Sequence, residues 1–415
     1  MRLTVGMAAV LSAFSGLALA GPAPALAGPA SALAARLPAR ASARPAGYLQ
    51  AWGDDLNGQL GNGATSRSHL PVAVRLPAGV TITAVAAGGK HTLAVTSTGT
   101  VLAWGDNFYG QLGDGQAGDS HVPVQVMLPK GTKVTAVAAG DGDSLAVTST
   151  GKLYAWGDNH YGELGDGSTM TARTPVSVIL PKGVKVVAAG ASYNYSLALT
   201  STGKVLTWGY NGSGQLGNGF LTASEIPALV KLPRGIKIKQ VANGGYDGLA
   251  LTTSGRVYAW GDNRYGQVGD GTRTSRLAPV LVRLPRGVKI TAIAAGSQHS
   301  LALTSTGRML AWGLGSFGQL GDGRTANSTV PVYARLPAGD RIAAISAGGG
   351  FSLARTSAGQ VLAWGHNTFG QLGDARAASS DVPVRVRIPA GLVAVGLAAG
   401  PTTRHSLAIV RRADG

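Results

Sequence analysis

Short apolar runs recur along this chain at a fixed interval of 52 residues, each alternating small and large side chains: Val101-Leu-Ala-Trp-Gly105, Leu153-Tyr-Ala-Trp-Gly157, Val257-Tyr-Ala-Trp-Gly261 and Val361-Leu-Ala-Trp-Gly365. Such runs predict strands buried on both faces. The tryptophans keep the interval throughout, at Trp52, Trp104, Trp156, Trp208, Trp260, Trp312 and Trp364. After each comes a polar stretch such as Asn107-Phe-Tyr-Gly-Gln-Leu-Gly-Asp-Gly115, whose Asn, Asp and Gly predict a structured loop. Next is a short strand opened by a phased proline (Pro71, Pro123, Pro175, Pro227, Pro279, Pro331, Pro383), and the missing N–H donor confines it to an outer edge. A Leu-Pro-x-Gly turn then leads into Val134-Thr-Ala-Val-Ala-Ala-Gly140 and Ser144-Leu-Ala-Val-Thr148. Their small residues suit the crowded centre of a ring.

With the strands named A to D from the centre outward, four per unit in seven units predict an all-β fold, a seven-bladed β-propeller with four antiparallel strands per blade. The pattern starts on a strand C (Tyr48-Leu-Gln-Ala-Trp52) and stops after a strand B (His405-Ser-Leu-Ala-Ile-Val410). Pairing these N- and C-terminal strands in one blade would close the ring and remove its open edges. The propeller is expected over residues 47–411, with 412–415 as a tail.

The compound motif Trp104-Gly-Asp-Asn-Phe-Tyr-Gly-Gln-Leu-Gly-Asp-Gly115, followed after the crossover by Ala-Ala-Gly-x-x-His-Ser-Leu-Ala-Leu as at Ala294 to Leu303, resembles the repeat of the regulator of chromosome condensation family. The resemblance runs from Gly47 to Val410 and implies a seven-bladed propeller. The family's founding member is a nuclear guanine-nucleotide exchange factor that also binds chromatin. Other members are adaptors, ubiquitin-ligase modules or secreted inhibitors, so the resemblance does not carry function. The exchange factor uses a wedge inserted in one blade, and the constant tryptophan spacing here leaves no room for one. Secreted bacterial propellers similar to this family include a β-lactamase-inhibitory protein whose loop face plugs its target, which keeps an enzyme inhibitor open as an alternative.

Residues 1–27 depart from the repeat. Met1-Arg2 precedes an uncharged apolar run from Leu3 to Ala20, with small-residue sites at Ala18-Leu-Ala20 and Ala25-Leu-Ala27. This predicts a signal peptide and a secreted protein, the alternative being an uncleaved membrane anchor of about 18 residues. Residues 28–46, rich in Ala, Pro and Arg, predict a disordered linker. Cysteine is absent, which excludes disulfides, thiolate nucleophiles and cysteine-based metal sites.

Charge adds a direction to the disk. The formal net charge is +17, and residues 1–46 account for four arginines and no acid. Because strands alternate in direction, D-to-A crossovers and B-to-C hairpins share one face, while A-to-B turns and C-to-D loops share the other. Repeat phase assigns 21 basic residues and one acid, Asp340, to the crossover face. Candidates there for binding a polyanion are Lys130, Lys133, Lys182, Lys185, Lys231, Arg234, Lys237, Lys239, Arg283, Arg286 and Lys289. Cations on edge turns also discourage aggregation. On the opposite face the repeated Asp residues are expected to form turns.

At the start of strand B the residue type varies while its scaffold repeats: His91, Asp143, Tyr195, Asp247, His299, Phe351 and, after a two-residue insertion, His405. With Lys90, Tyr193 and Tyr246 beside them, these residues predict a partner-binding mouth on the loop face. The alternative for each histidine is a turn cap. Aromatics at a second phase (Tyr109, Tyr161, Tyr265, Phe317, Phe369) are expected to pack within their loops.

Gly313-Leu-Gly-Ser-Phe-Gly318 matches G-x-G-x-x-G only formally, being one copy of the tryptophan-glycine loop that opens no helix. No catalytic residue, metal or cofactor is expected. The sequence predicts a secreted, monomeric, non-enzymatic binding scaffold for a protein or an anionic envelope polymer, with no specific nucleic acid and no small-molecule substrate. An inhibitor is the alternative, and a guanine-nucleotide exchange factor-like regulator a remoter one.

Overall fold

The computed structural model describes residues 48–413, so the expected signal peptide and linker lie outside the described residues. Twenty-eight strands form seven four-stranded antiparallel sheets. In one blade β3 (Ile82–Ala87), β4 (His91–Thr96), β5 (Val101–Gly105) and β6 (Ser120–Gln125) lie side by side in that order, as strands A to D, and the arrangement repeats around the ring. The closing blade combines both ends of the propeller: β1 (Tyr48–Gly53) and β2 (Ser68–Ala73) join β27 (Leu392–Ala398) and β28 (His405–Arg412) in the order β2-β1-β28-β27. Its central register runs from Tyr48 opposite Val410 to Gly53 opposite His405. The pairing completes the seventh blade, so the ends of the propeller leave no partial sheet among the described residues.

The apolar core lies between blades. Leu93, Val95, Ala103 and Leu112 of one blade pack with Val137, Ala146, Tyr154 and Trp156 of the next. All seven tryptophans are fully buried. Each indole N–H donates to a carbonyl in the polar loop of the preceding blade, as Trp156 does to Gln111 and Trp208 to Glu163. The glycine two residues beyond each of these acceptors explains the Gly-Gln-Leu-Gly segment. Gly113 has φ +66°, and a Cβ there would lie 2.6 Å from the Trp156 indole nitrogen. Only glycine meets both demands.

The polar loop is organised by its asparagine. Asn107 Oδ1 accepts from the Leu112 N–H, and its Nδ2 donates to the Gln116 and Gly118 carbonyls. The outer strands begin earlier than expected, since Pro71 is the fourth residue of β2 and not its opening one. The ladder between β1 and β2 is irregular between Ala51 and Gly53, and the missing proline donor falls in that break.

Candidate functional site

The variable ring of residues at the start of strand B is not exposed at a mouth. His91, Asp143, Tyr195, Asp247, His299, Phe351 and His405 are all between 0 and 1% accessible. Their side chains point into the seams between blades, in space that small residues leave free: a Cβ on Gly88 would lie 2.4 Å from the His91 ring. His91 Nε2 bonds Ser144 Oγ at 2.9 Å, His299 Nε2 bonds Ser352 Oγ at 2.9 Å, and His405 Nε2 bonds Thr92 Oγ1 at 3.0 Å across the closing seam. Each hydroxyl also donates to a loop carbonyl of the tryptophan-latching set. The three histidines are therefore stitches between blades, neither turn caps nor surface contacts.

Burial pulls their pKa values down to about 3, so all three are neutral at pH 7. Asp143 and Asp247 occupy the same position with shorter side chains, and their carboxyl oxygens find no hydrogen-bond partner. Burial pushes both pKa values well up, with the Glu163, Asp158 and Asp141 carboxylates adding to the effect at Asp143 and the Asp262 carboxylate at Asp247. Among the described residues, no three His, Asp or Glu side chains are grouped so as to hold a metal ion.

The loop face offers a different site. A cleft of about 480 Å³ is lined by Lys90, Asp106, Tyr109, Asp158, Tyr161 and Tyr193, together with Asp141, Gly142, His160 and Asn194. It joins A-to-B turns and C-to-D loops of neighbouring blades, as the alternation of strand direction requires. Of the ten residues expected at a mouth, Lys90 and Tyr193 line this cleft. Tyr246 adjoins it, with its ring stacked on that of Tyr193 at 5.0 Å, and Tyr210 links Tyr246 to Tyr161. Sequence reasoning set Tyr109 and Tyr161 aside as loop packing and passed over Asp106 and Asp158 as turn formers. The readable signal was Gly142, a glycine in the place that Lys90, Asn194, Tyr246, Gln298 and Arg404 fill with a side chain, with Gly350 the other glycine at this phase.

The field in the cleft is negative. Burial raises the Tyr109 pKa, and the Asp158, Asp141 and Asp106 carboxylates raise it further. Below the cleft, Glu163 stands where Gln111 and Gln267 stand in other blades. Those glutamines donate to Asp106 and Asp262, whereas Glu163 meets Asp158 as a second acid. Burial and that carboxylate push Glu163 up to about 7.

On the crossover face all eleven candidate cations are exposed, and none is part of an ion pair among the described residues. Lys152, Lys182 and Lys185 edge a cleft of about 420 Å³ floored by Leu153, Val178 and Leu180. Two blades on, Arg256, Arg283 and Lys289 edge an equivalent cleft of about 430 Å³.

The RCC1-like domain family model matches residues 48–408. The ultraviolet-B receptor UVR8 of Arabidopsis thaliana is 34% identical over 329 residues, which is 79% of this chain and 74% of the receptor. Human WBSCR16 shares the fold with a TM-score of 0.78 at 25% identity, over 88% of this chain and 99% of that one. Prp20p from Saccharomyces cerevisiae does so with a TM-score of 0.77 at 25% identity, over 89% and 92%. These are plant, human and yeast proteins, and they lend no support to a secreted bacterial type. With the match running from the first strand into the last, the chain belongs to the RCC1-like domain family.

Proposed function

We propose that this protein is an exported, non-enzymatic binding scaffold that meets an anionic partner, an acidic protein or an envelope polymer, with one arc of its crossover face. The observation that carries the reading is the uneven placement of charge on a repeated turn. The middle residue of the seven Pro-x-Gly crossovers is, in order, Ala78, Lys130, Lys182, Arg234, Arg286, Ala338 and Ala390. Four consecutive blades present a cation and the remaining three an alanine, all of them exposed. Asp340, the acid assigned to this face, lies on the alanine side, where it pairs with Arg385. Charge that served only solubility would not need to be gathered in one arc, whereas a field that attracts a polyanion would.

Prp20p has binding properties to Gsp1p and histones, which supports a protein as the class of partner. The apolar run Leu3 to Ala20 behind Met1-Arg2 supports export. The seamed ring and the latched loops support binding with little rearrangement.

Two triple variants test the arc. Lys130→Ala with Lys182→Ala and Arg234→Ala, and Ala78→Glu with Ala338→Glu and Ala390→Glu, each lower the net charge by the same amount on the same face. On immobilised heparin, a soluble polyanion, the first triple should elute at clearly lower salt than the second. Equal displacement of both would show that overall charge alone is at work. Recovery of the protein from the culture medium with a new N terminus between residues 20 and 47 would support export, and retention inside the cell would oppose it.

A further inference from the structure

The two ends of the loop face treat the same aromatic position differently. Phe369 and Tyr109 occupy one phase of the C-to-D loop, five repeats apart. In the last blade the chain covers Phe369 itself: the Arg404 guanidinium lies 4.6 Å from the ring centroid and that of Arg67 5.1 Å. Arg404 is the residue before the buried His405 in its A-to-B turn, and the residue in that place beside Tyr109, before the buried Asp143, is Gly142. A Cβ on Gly142 would lie 2.9 Å from Tyr109 Cδ2 and 3.2 Å from Asp158 Cβ. Among the described residues no guanidinium or ammonium covers Tyr109 or Tyr161.

The charges around the two rings differ in the same sense. Beside Phe369 the loop carries His366, whose pKa burial and Arg404 lower. The matching position beside Tyr109 is Asp106, and the next blade's is Asp158. At these two rings a guanidinium covers the aromatic whose loop carries His366, and none among the described residues covers the aromatic flanked by Asp106 and Asp158. In another blade Asp262, at the same phase, is instead satisfied by its own neighbour Arg264 at 3.0 Å.

The Tyr109 cleft is also built to hold the stem of a long side chain. Tyr161 and Tyr193 wall it, and Tyr193 is held at 4% exposure by its stack on Tyr246. The Tyr193 hydroxyl, beside Ser297, makes no well-formed hydrogen bond. Lys90 and His160 offset part of the negative charge, His160 by its hydrogen bond to Asp158.

We infer that this cleft is a receptor for an arginine side chain presented by a partner protein, with the guanidinium placed on the Tyr109 ring as Arg404 is placed on Phe369 and facing the Asp106 and Asp141 carboxylates. A planar guanidinium can stack on the ring and donate to carboxylates at once. The site lies on the face opposite the basic arc and does not depend on it.

The test uses the full chain with ¹³C-labelled tyrosines and the probe acetyl-Gly-Arg-Gly amide, titrated in parallel with its citrulline counterpart, which keeps the shape and lacks the charge. Tyrosine ring signals should shift with the arginine peptide, and the citrulline peptide should bind at least about tenfold more weakly. Gly142→Arg, which copies Arg404 into this blade, should abolish the shifts by filling the cleft from within. Asp141→Asn and Tyr109→Leu should each weaken binding about tenfold and serve if the first variant misfolds. The triple variant of the basic arc should bind the peptide normally. Equal binding of the two peptides, or arginine binding unchanged in these cleft variants, would overturn the assignment.

Discussion

The indole Nε1 of Trp52 donates to the carbonyl of Gln371 at 2.9 Å, across a sequence separation of 319 residues. The other six tryptophans make the same bond to a residue 45 positions earlier. The Trp52 bond is therefore the ordinary seam of this propeller, made at the one place where it joins the two ends. Around it β28 pairs with both β1 and β27.

Removing residues 404–415 deletes β28 and should open the ring. The seam would lose the Trp52 neighbourhood and expose the edges of β1 and β27 together. We expect the truncated protein to unfold or to form oligomers, read by light scattering after gel filtration and by thermal denaturation. A monomer with an unchanged melting temperature would show that closure contributes nothing.

The same seam separates two kinds of glycine. Gly113 and Gly131 both have positive φ, +66° and +80°, but a Cβ at Gly113 meets the Trp156 indole at 2.6 Å and one at Gly131 meets nothing within 4 Å. Gly131→Ala should cost only the backbone strain, about 1 kcal/mol, and Gly113→Ala the strain plus displacement of a buried indole, roughly 3 kcal/mol. Denaturant unfolding of the two variants checks the ranking, and equal losses would mean that the indole yields freely.

Strand order, ring closure and the rim position of the proline strands were legible because the tryptophan and proline phases repeat without slippage. The strand B residues were not. His91 looks like a surface residue when read beside the exposed Lys90, yet the first residue of β4 turns into the seam. The telling residue is Gly88, whose missing side chain leaves space for the imidazole. The cleft was hidden for a related reason. It depends on which loops of neighbouring blades meet, and a phase-by-phase reading compares each loop with its copies and not with its neighbour.

Glu163 gives a test with a defined sign. Its pKa is raised from 4.5 to about 7 in the folded protein, so the stability present below pH 4.5 is lost as pH rises toward 7, when the unfolded chain ionises first. Glu163→Gln removes that loss and restores the donor that Gln111 offers Asp106. The variant should be more stable than the parent by about 2 kcal/mol at pH 7.5, with the gain shrinking toward pH 4.5. A gain independent of pH would remove the carboxyl group from the explanation.

The seam histidines run the other way. With folded pKa values near 3 against 6.5 for the free side chain, each contributes stability that is intact above pH 6.5 and is lost as pH falls toward 3, at about 1.4 kcal/mol per pH unit. The raised acids Asp55, Asp143, Glu163 and Asp247 work against this trend, so the parent protein alone does not expose it. Comparison with His91→Gln does, because the variant keeps a group able to reach Ser144 and cannot be protonated. Between pH 7.5 and pH 5 the parent should lose about 2 kcal/mol more than His91→Gln, measured by urea unfolding at each pH. If both lose the same amount, His91 is already charged or hydrated in the folded ring, and the dry seam between the blades is wrong.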